Sequence, residues 1–111
     1  MEIFIKGKHC IITPLSPEMD KIASSRLKDE IKNHLLFDIG IDMSYVENCT
    51  LDFIKIFKNK KNLSLFNMSP DILALFNIMG LDKINNIYVF ENDFLSSRHR
   101  LIKRDFKIVQ A

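Results

Sequence analysis

Between Asn62 and Phe90 the apolar residues change period twice, which predicts a strand, a helix and a second strand. Leu63, Leu65 and Phe66 form a short apolar run that stops at Asn67. Ser69-Pro70 then supplies an N-cap hydroxyl and a proline at the first helical position, where its missing N–H costs nothing. Asp71 adds a negative charge beside the positive end of the helix dipole. Ile72, Leu75, Phe76 and Met79 follow at the three-four spacing of a buried helical face. Gly80 offers the left-handed residue that ends a helix, and Leu81 folds back over the last turn. Asn85-Asn86 reads as a turn, and Ile87 to Phe90 as a β-branched and aromatic strand. Strand, helix and strand in this order make a βαβ crossover with parallel strands.

Upstream, Glu2 to Ile5 and Lys8 to Ile12 are two β-prone runs joined by a Lys6-Gly7 turn. Thr13-Pro14-Leu15-Ser16-Pro17 breaks the pattern, because proline has no place in a central strand. A helix is expected from there to about Leu36. Its inward face is Ile22, Leu27, Ile31 and Leu35, with Met19 and Ala23 completing the stripe; Lys21, Arg26, Lys28, Glu30 and Lys32 face outward. Asp38 to Met43 suits a strand, either alternating or largely buried. Ser44 to Thr50 reads as a polar loop, with Asn48 or Thr50 as N-cap of a short helix carrying Leu51, Phe53, Ile54, Ile56 and Phe57. Lys58-Asn59-Lys60-Lys61 closes it as a solvated, dipole-matched end rather than a binding patch.

The expected order is therefore β-β-α-β-α-β-α-β plus a C-terminal tail, a single α/β domain. Its sheet is mainly parallel with one antiparallel edge, and helices pack on it. Residues 1–93 form the domain and 94–111 a basic tail. In the tail Ile102, Phe106 and Ile108 recur at even spacing, which suits an added strand, with a helix close behind.

Composition narrows the function more than it names it. The 111 residues suffice for one core without disulfides. A net charge of +2 does not by itself argue for nucleic acid, and no recognition motif accompanies the basic run Arg98 to Arg104. Cys10 and Cys49 show no metal-type spacing and read as free thiols of a reduced, cytoplasmic protein. No signal peptide opens the chain, and no apolar run approaches membrane-spanning length. His9, His34 and His99 share no carboxylate or cysteine spacing and read as structural or surface residues. Gly7, Gly40 and Gly80 are isolated, so no phosphate loop forms. These observations ask for no metal, cofactor or catalytic set.

Two motifs carry a resemblance. Ser69-Pro70, then Ile72, Leu75 and Phe76 and a closing Gly80-Leu81, resembles the second half of the STAS domain, and the Asp42 to Val46 stretch D-M-S-Y-V resembles the family's D-L-S-x-V at the end of its third strand. With the order of elements, the resemblance covers residues 1 to about 90. It implies a regulatory protein-binding module like the anti-sigma-factor antagonists, which bind an anti-sigma-factor kinase. In many of those a serine in D-S-(S/A)-G, after the third strand, is phosphorylated. Here the stretch is Glu47-Asn48-Cys49-Thr50. Aligned at the helix start, Asn48 stands on the serine; counted without gaps from Asp42, Leu51 does. Neither alignment supplies the acceptor.

The resemblance places partner contacts on Thr13 and Ser16, on Ser44, Glu47, Asn48, Cys49 and Thr50, and on Ser69. Thr50 and Ser44 read first as a helix cap and a strand-end residue, and as displaced acceptors only in addition. Cys49 near a helix N-terminus invites a redox role, but a small residue packing the loop is the simpler reading. Four functions compete. The first is a non-phosphorylatable antagonist acting by occupancy. Next is a structural or accessory subunit of a larger assembly, such as a stress-signalling scaffold or a STAS-like subunit of a lipid transporter. Its tail would add as a strand to a neighbour or a second copy. Nucleic-acid binding through the tail and a small enzyme have less in their favour.

Overall fold

A computed structural model describes residues 1–60 and 63–96 of the chain. Strands β1 (Glu2–Lys6) and β2 (His9–Thr13) form an antiparallel hairpin. Its turn residues are Gly7-Lys8 rather than Lys6-Gly7, because Lys6 pairs with His9 and Gly7 takes the left-handed φ of 61° that such a turn requires. A two-residue strand β3 (Glu18–Met19) leads into α1 (Lys21–Asn33), then β4 (Asp38–Asp42) and β5 (Asn48–Cys49). Helix α2 (Leu51–Asn59), β6 (Ser64–Phe66), α3 (Pro70–Ile78), a 3-10 turn at Leu81–Lys83, β7 (Asn86–Ile87) and α4 (Glu91–Ser96) complete the order. The main sheet runs β1-β2-β4-β6-β7, parallel except for the β1 edge, and β3 pairs with β5 apart from it. The chain is thus an α/β domain with a mixed sheet and four described helices.

Side chains alternate across β2, β4 and β6, so the sheet has two apolar faces. One face carries Cys10, Ile12, Ile39, Ile41 and Leu65, and the large core shared with the helices forms on it. Phe53 and Phe57 of α2, 4.9 Å apart, meet Phe76 of α3 there at centroid distances of 6.3 and 5.4 Å. The other face carries Ile11, Phe66 and Tyr88 under Phe94 of α4. Gly40 lies beneath that ring: a Cβ at this position would stand 2.6 Å from Phe94 Cε2. A boundary drawn before Phe94 therefore cuts through a helix whose buried side chain roofs this face. The rest of the expected tail lies outside the described residues.

The α3 signals act as read. Ser69 Oγ accepts the Ile72 N–H, Pro70 is the first helical residue, and Gly80 adopts φ 72°. The face of α1 differs from expectation. Asp20 caps it by accepting the Ala23 N–H, and Ser24, Leu27 and Ile31 become the buried residues. Ile22 is 68% exposed, because at 100° per residue it stands on the far side of the helix from Leu27. Leu35 is exposed because the helix ends at Asn33, with His34 as its cap and His34 Nδ1 2.7 Å from Glu30 O. The last strand is also shorter than Ile87 to Phe90. Tyr88 N–H still donates to Leu65 O, but Asp93 Oδ2 then accepts the Phe90 N–H and turns the chain into α4.

Asn85, expected as a turn residue, is 3% exposed and fastens three elements. Its Oδ1 accepts the Leu63 N–H, and its Nδ2 donates to Phe57 O and Leu81 O. His9 is buried too: its Nε2 lies 3.5 Å from Asp38 Oδ2 without hydrogen-bond geometry, and its ring meets Phe94 edge-on. No described helix is long and apolar enough to cross a membrane.

Candidate functional site

Parallel strands β2, β4, β6 and β7 end on one side of the sheet, the side where open α/β sheets place their ligands. Two groups of loops meet there. The first joins the segment after β2 to the segment after β4. Pro17 O accepts the N–H groups of both Glu47 and Asn48, and β3 pairs with β5 in parallel, Glu18 opposite Asn48 and Met19 opposite Cys49. Met19 O accepts from both the N–H and the hydroxyl of Thr50. Ser16 Oγ donates to Glu18 O.

The stretch from Ser44 to Thr50 is thus not the loose polar loop expected from its composition. It holds a strand and the buried Val46. Thr50 occupies the N-cap position of α2, but its hydroxyl serves Met19 O and not the helix.

The second group joins β4 to β6. Asp42 Oδ1 accepts the Ser44 N–H at 3.0 Å and Asn67 Nδ2 at 3.1 Å. Asn67 sits in the left-handed region at φ 59°, and its own N–H donates to Val89 O. Asp42 and Asn67 therefore fix the ends of three strands with side-chain and backbone bonds. Neither was a predicted contact residue. The available signal was an asparagine directly after an apolar run, since asparagine tolerates this backbone region better than most residues.

Of the predicted contacts, Ser16, Glu47, Asn48, Cys49 and Thr50 are brought into one group by the Pro17 and Met19 carbonyls. Ser44 stands with the second group. Ser69 caps α3, and Thr13 is buried at the end of β2. The exposed members are Ser16, Ser44, Glu47, Asn48 and Thr50. Large apolar side chains accompany them: Leu15 is 45% exposed, Tyr45 55% and Leu51 69%. Beside the first group lies a depression of about 480 Å³ lined by Pro14, Leu15, Met19 and Ile22, with Asp20 and Arg26. The exposed Ile22 is part of its wall.

Burial favours packing over thiol chemistry here. Burial raises the Cys49 thiol above its ordinary value of 9.0. Cys10 is raised as well, first by burial and then by the negative charge of Glu30. Burial at Cys49 thus works against the low-pKa thiolate that a redox role needs, which favours the packing reading. Among the described residues, no group of three or more His, Cys, Asp or Glu side chains is placed to hold a metal ion.

No family model matches the chain, and no curated protein matches its sequence. Among solved structures it is similar to the protein TM1081, determined by NMR, with a TM-score of 0.71 and 16% identity over 85% of this chain and 84% of that one. Likeness at that identity defines a shared α/β fold.

Proposed function

We propose that the chain is a STAS-like regulatory module of the cytoplasm that acts by occupying a protein partner rather than by catalysis. The observation that carries this reading is the surface at the strand ends. Two loops are locked together by Pro17 and Met19 carbonyls, and the first of them, with the start of α1, borders a depression whose wall includes the exposed apolar Leu15 and Ile22. Preorganised loops lower the entropy lost on binding, and apolar side chains ringed by polar ones are the usual anatomy of a protein interface. D-M-S-Y-V, the Ser69-Pro70 cap and the element order support the STAS assignment within this reading. An anti-sigma-factor kinase is the partner that the resemblance favours; nucleic acid is not. Neither Asn48 nor Leu51 offers an acceptor hydroxyl, so control rests with abundance, with the partner or with another modification.

The test is affinity capture with the wild-type chain and with an Ile22→Arg/Asn48→Arg variant, followed by titration of the purified captured protein. Both substituted side chains are exposed, so the variant is expected to fold. A kinase-type partner bound by the wild type and lost by the variant supports the proposal. Equal binding by both removes this surface from it.

A second reading, a subunit of a larger assembly, draws on the β1 edge of the sheet. Strand β1 is an outer strand, with Phe4 56% and Ile5 48% exposed. An apolar edge invites pairing with a neighbour. Sedimentation of the wild type and a Phe4→Lys variant decides this: association that disappears in the variant favours the subunit reading, and a monomer in both removes it.

A further inference from the structure

Helices α1 and α2 pack side by side and leave between them a groove of about 550 Å³. Its lining is strongly one-signed. Lys21, Lys28 and Lys32 come from α1, Lys55 and Lys60 from α2 and its end, and Asp52 is the one carboxylate. Among the described residues, none of these five ammonium groups pairs with an acid. Ile31, Leu35 and Ile56 also line the groove, and Leu35 is 52% exposed. The lysine run after α2, expected as a merely solvated helix end, thus sends Lys60 into a shared basic groove.

The spacing says what shape of occupant fits. Lys21, Lys28 and Lys32 lie seven and then four residues apart, so at 100° per residue they fall within about 20° of one line along α1. That line is about 16 Å long, or three helical turns. A compact anion needs converging donors; a ladder of charges beside apolar side chains fits an elongated partner with acids on one flank and an apolar stripe on the other.

We propose that this groove docks an acidic amphipathic helix of a partner protein. Aliphatic lysine stems and Leu35 cover its apolar stripe, while the ammonium groups meet its carboxylates. This surface is separate from the strand-end loops and stands whether or not those bind a partner.

The probe is a fluorescein-labelled peptide of about 18 residues, long enough to hold a helix, with leucine at heptad spacing and glutamate on the flanks. Its controls are a scrambled peptide of the same composition and inositol hexakisphosphate as a compact polyanion. Fluorescence anisotropy should show binding that weakens with salt and falls about tenfold or more in Lys28→Glu/Lys55→Glu. Lys6→Glu/Lys8→Glu, the same charge change at the β1–β2 turn, should bind like the wild type. Circular dichroism confirms that both variants are folded. Equal loss in the two variants, undiminished binding in Lys28→Glu/Lys55→Glu, equal binding of the scrambled peptide, or preference for inositol hexakisphosphate would each overturn the proposal.

Discussion

Replacing Gly40 by alanine sets a methyl group against the Phe94 ring, with Cε2, Cζ and Cδ2 at 2.6, 2.8 and 2.9 Å from the new Cβ. Gly40 is in the middle strand of the sheet, and its backbone φ is not in the left-handed region, so the ring is the obstacle and not the backbone. Overpacking of this kind costs about 1–3 kcal/mol. Alanine in a strand otherwise gains about 0.5–1 kcal/mol over glycine. The net expectation is a loss of roughly 1–2 kcal/mol in the wild-type background. In a Phe94→Leu background the ring edge is gone, and the same substitution should be neutral or slightly stabilising. The four proteins of this cycle are compared by urea denaturation. A coupling of about 1–2 kcal/mol is expected, well above the few tenths seen for independent sites. If Gly40→Ala costs the same in both backgrounds, Phe94 does not roof the sheet, and the placement of α4 is wrong. Ending the chain before Phe94 should likewise cost about 3–5 kcal/mol, the scale of removing a buried phenylalanine.

Other consequences follow from single side chains. Asn85→Leu strands the buried Leu63 N–H and Phe57 O, so chemical denaturation should show a loss of about 2–4 kcal/mol. Asn67→Ala should cost about 1–2 kcal/mol more than Asn67→Gly, since both lose the bond to Asp42 but only alanine pays for φ 59°. Equal losses would mean that the backbone at Asn67 carries no strain. Cys49 and Cys10 have raised thiol pKa values, so the folded chain holds their protons more tightly than the unfolded chain does. Their contribution to stability is therefore full below the ordinary value of 9.0 and declines as pH rises past it. Iodoacetamide should accordingly react slowly with folded Cys49 at neutral pH; reaction faster than a free thiol's would restore the redox reading.

Local signals in the chain were legible and long-range ones were not. Helix α3 could be read residue by residue because its cap, its first proline and its terminal glycine act within a few positions of themselves. The crossovers followed from the alternation of strand-like and helical runs, and the parallel pairing of β2, β4, β6 and β7 came with them. Helix α1 was misphased because Ile22 is apolar yet belongs to a surface depression, whereas polar Ser24 is buried and donates to Met19 O. Strands β3 and β5 have two residues each and exist only through each other, so no periodicity marks either. The same holds at the candidate site. Turn-forming residues between β4 and α2 were visible, but the Pro17 carbonyl that gathers them sits in a different segment. Asn67 and Asn85 look like ordinary turn residues in sequence; their partners, Asp42, Leu63 and Phe57, lie more than twenty residues away.

The loops at the strand ends, with the Leu15–Ile22 depression, are proposed as the surface by which this chain holds a partner. Titration of the purified captured partner against wild type, Ile22→Arg/Asn48→Arg and Ile78→Arg tests it most directly. Ile78 is 81% exposed on α3 and outside the depression, so its variant controls for added charge on an exposed apolar side chain. Wild-type affinity is expected for Ile78→Arg, and a loss of about tenfold or more for Ile22→Arg/Asn48→Arg. The same affinity for all three, or a loss confined to Ile78→Arg, would contradict it.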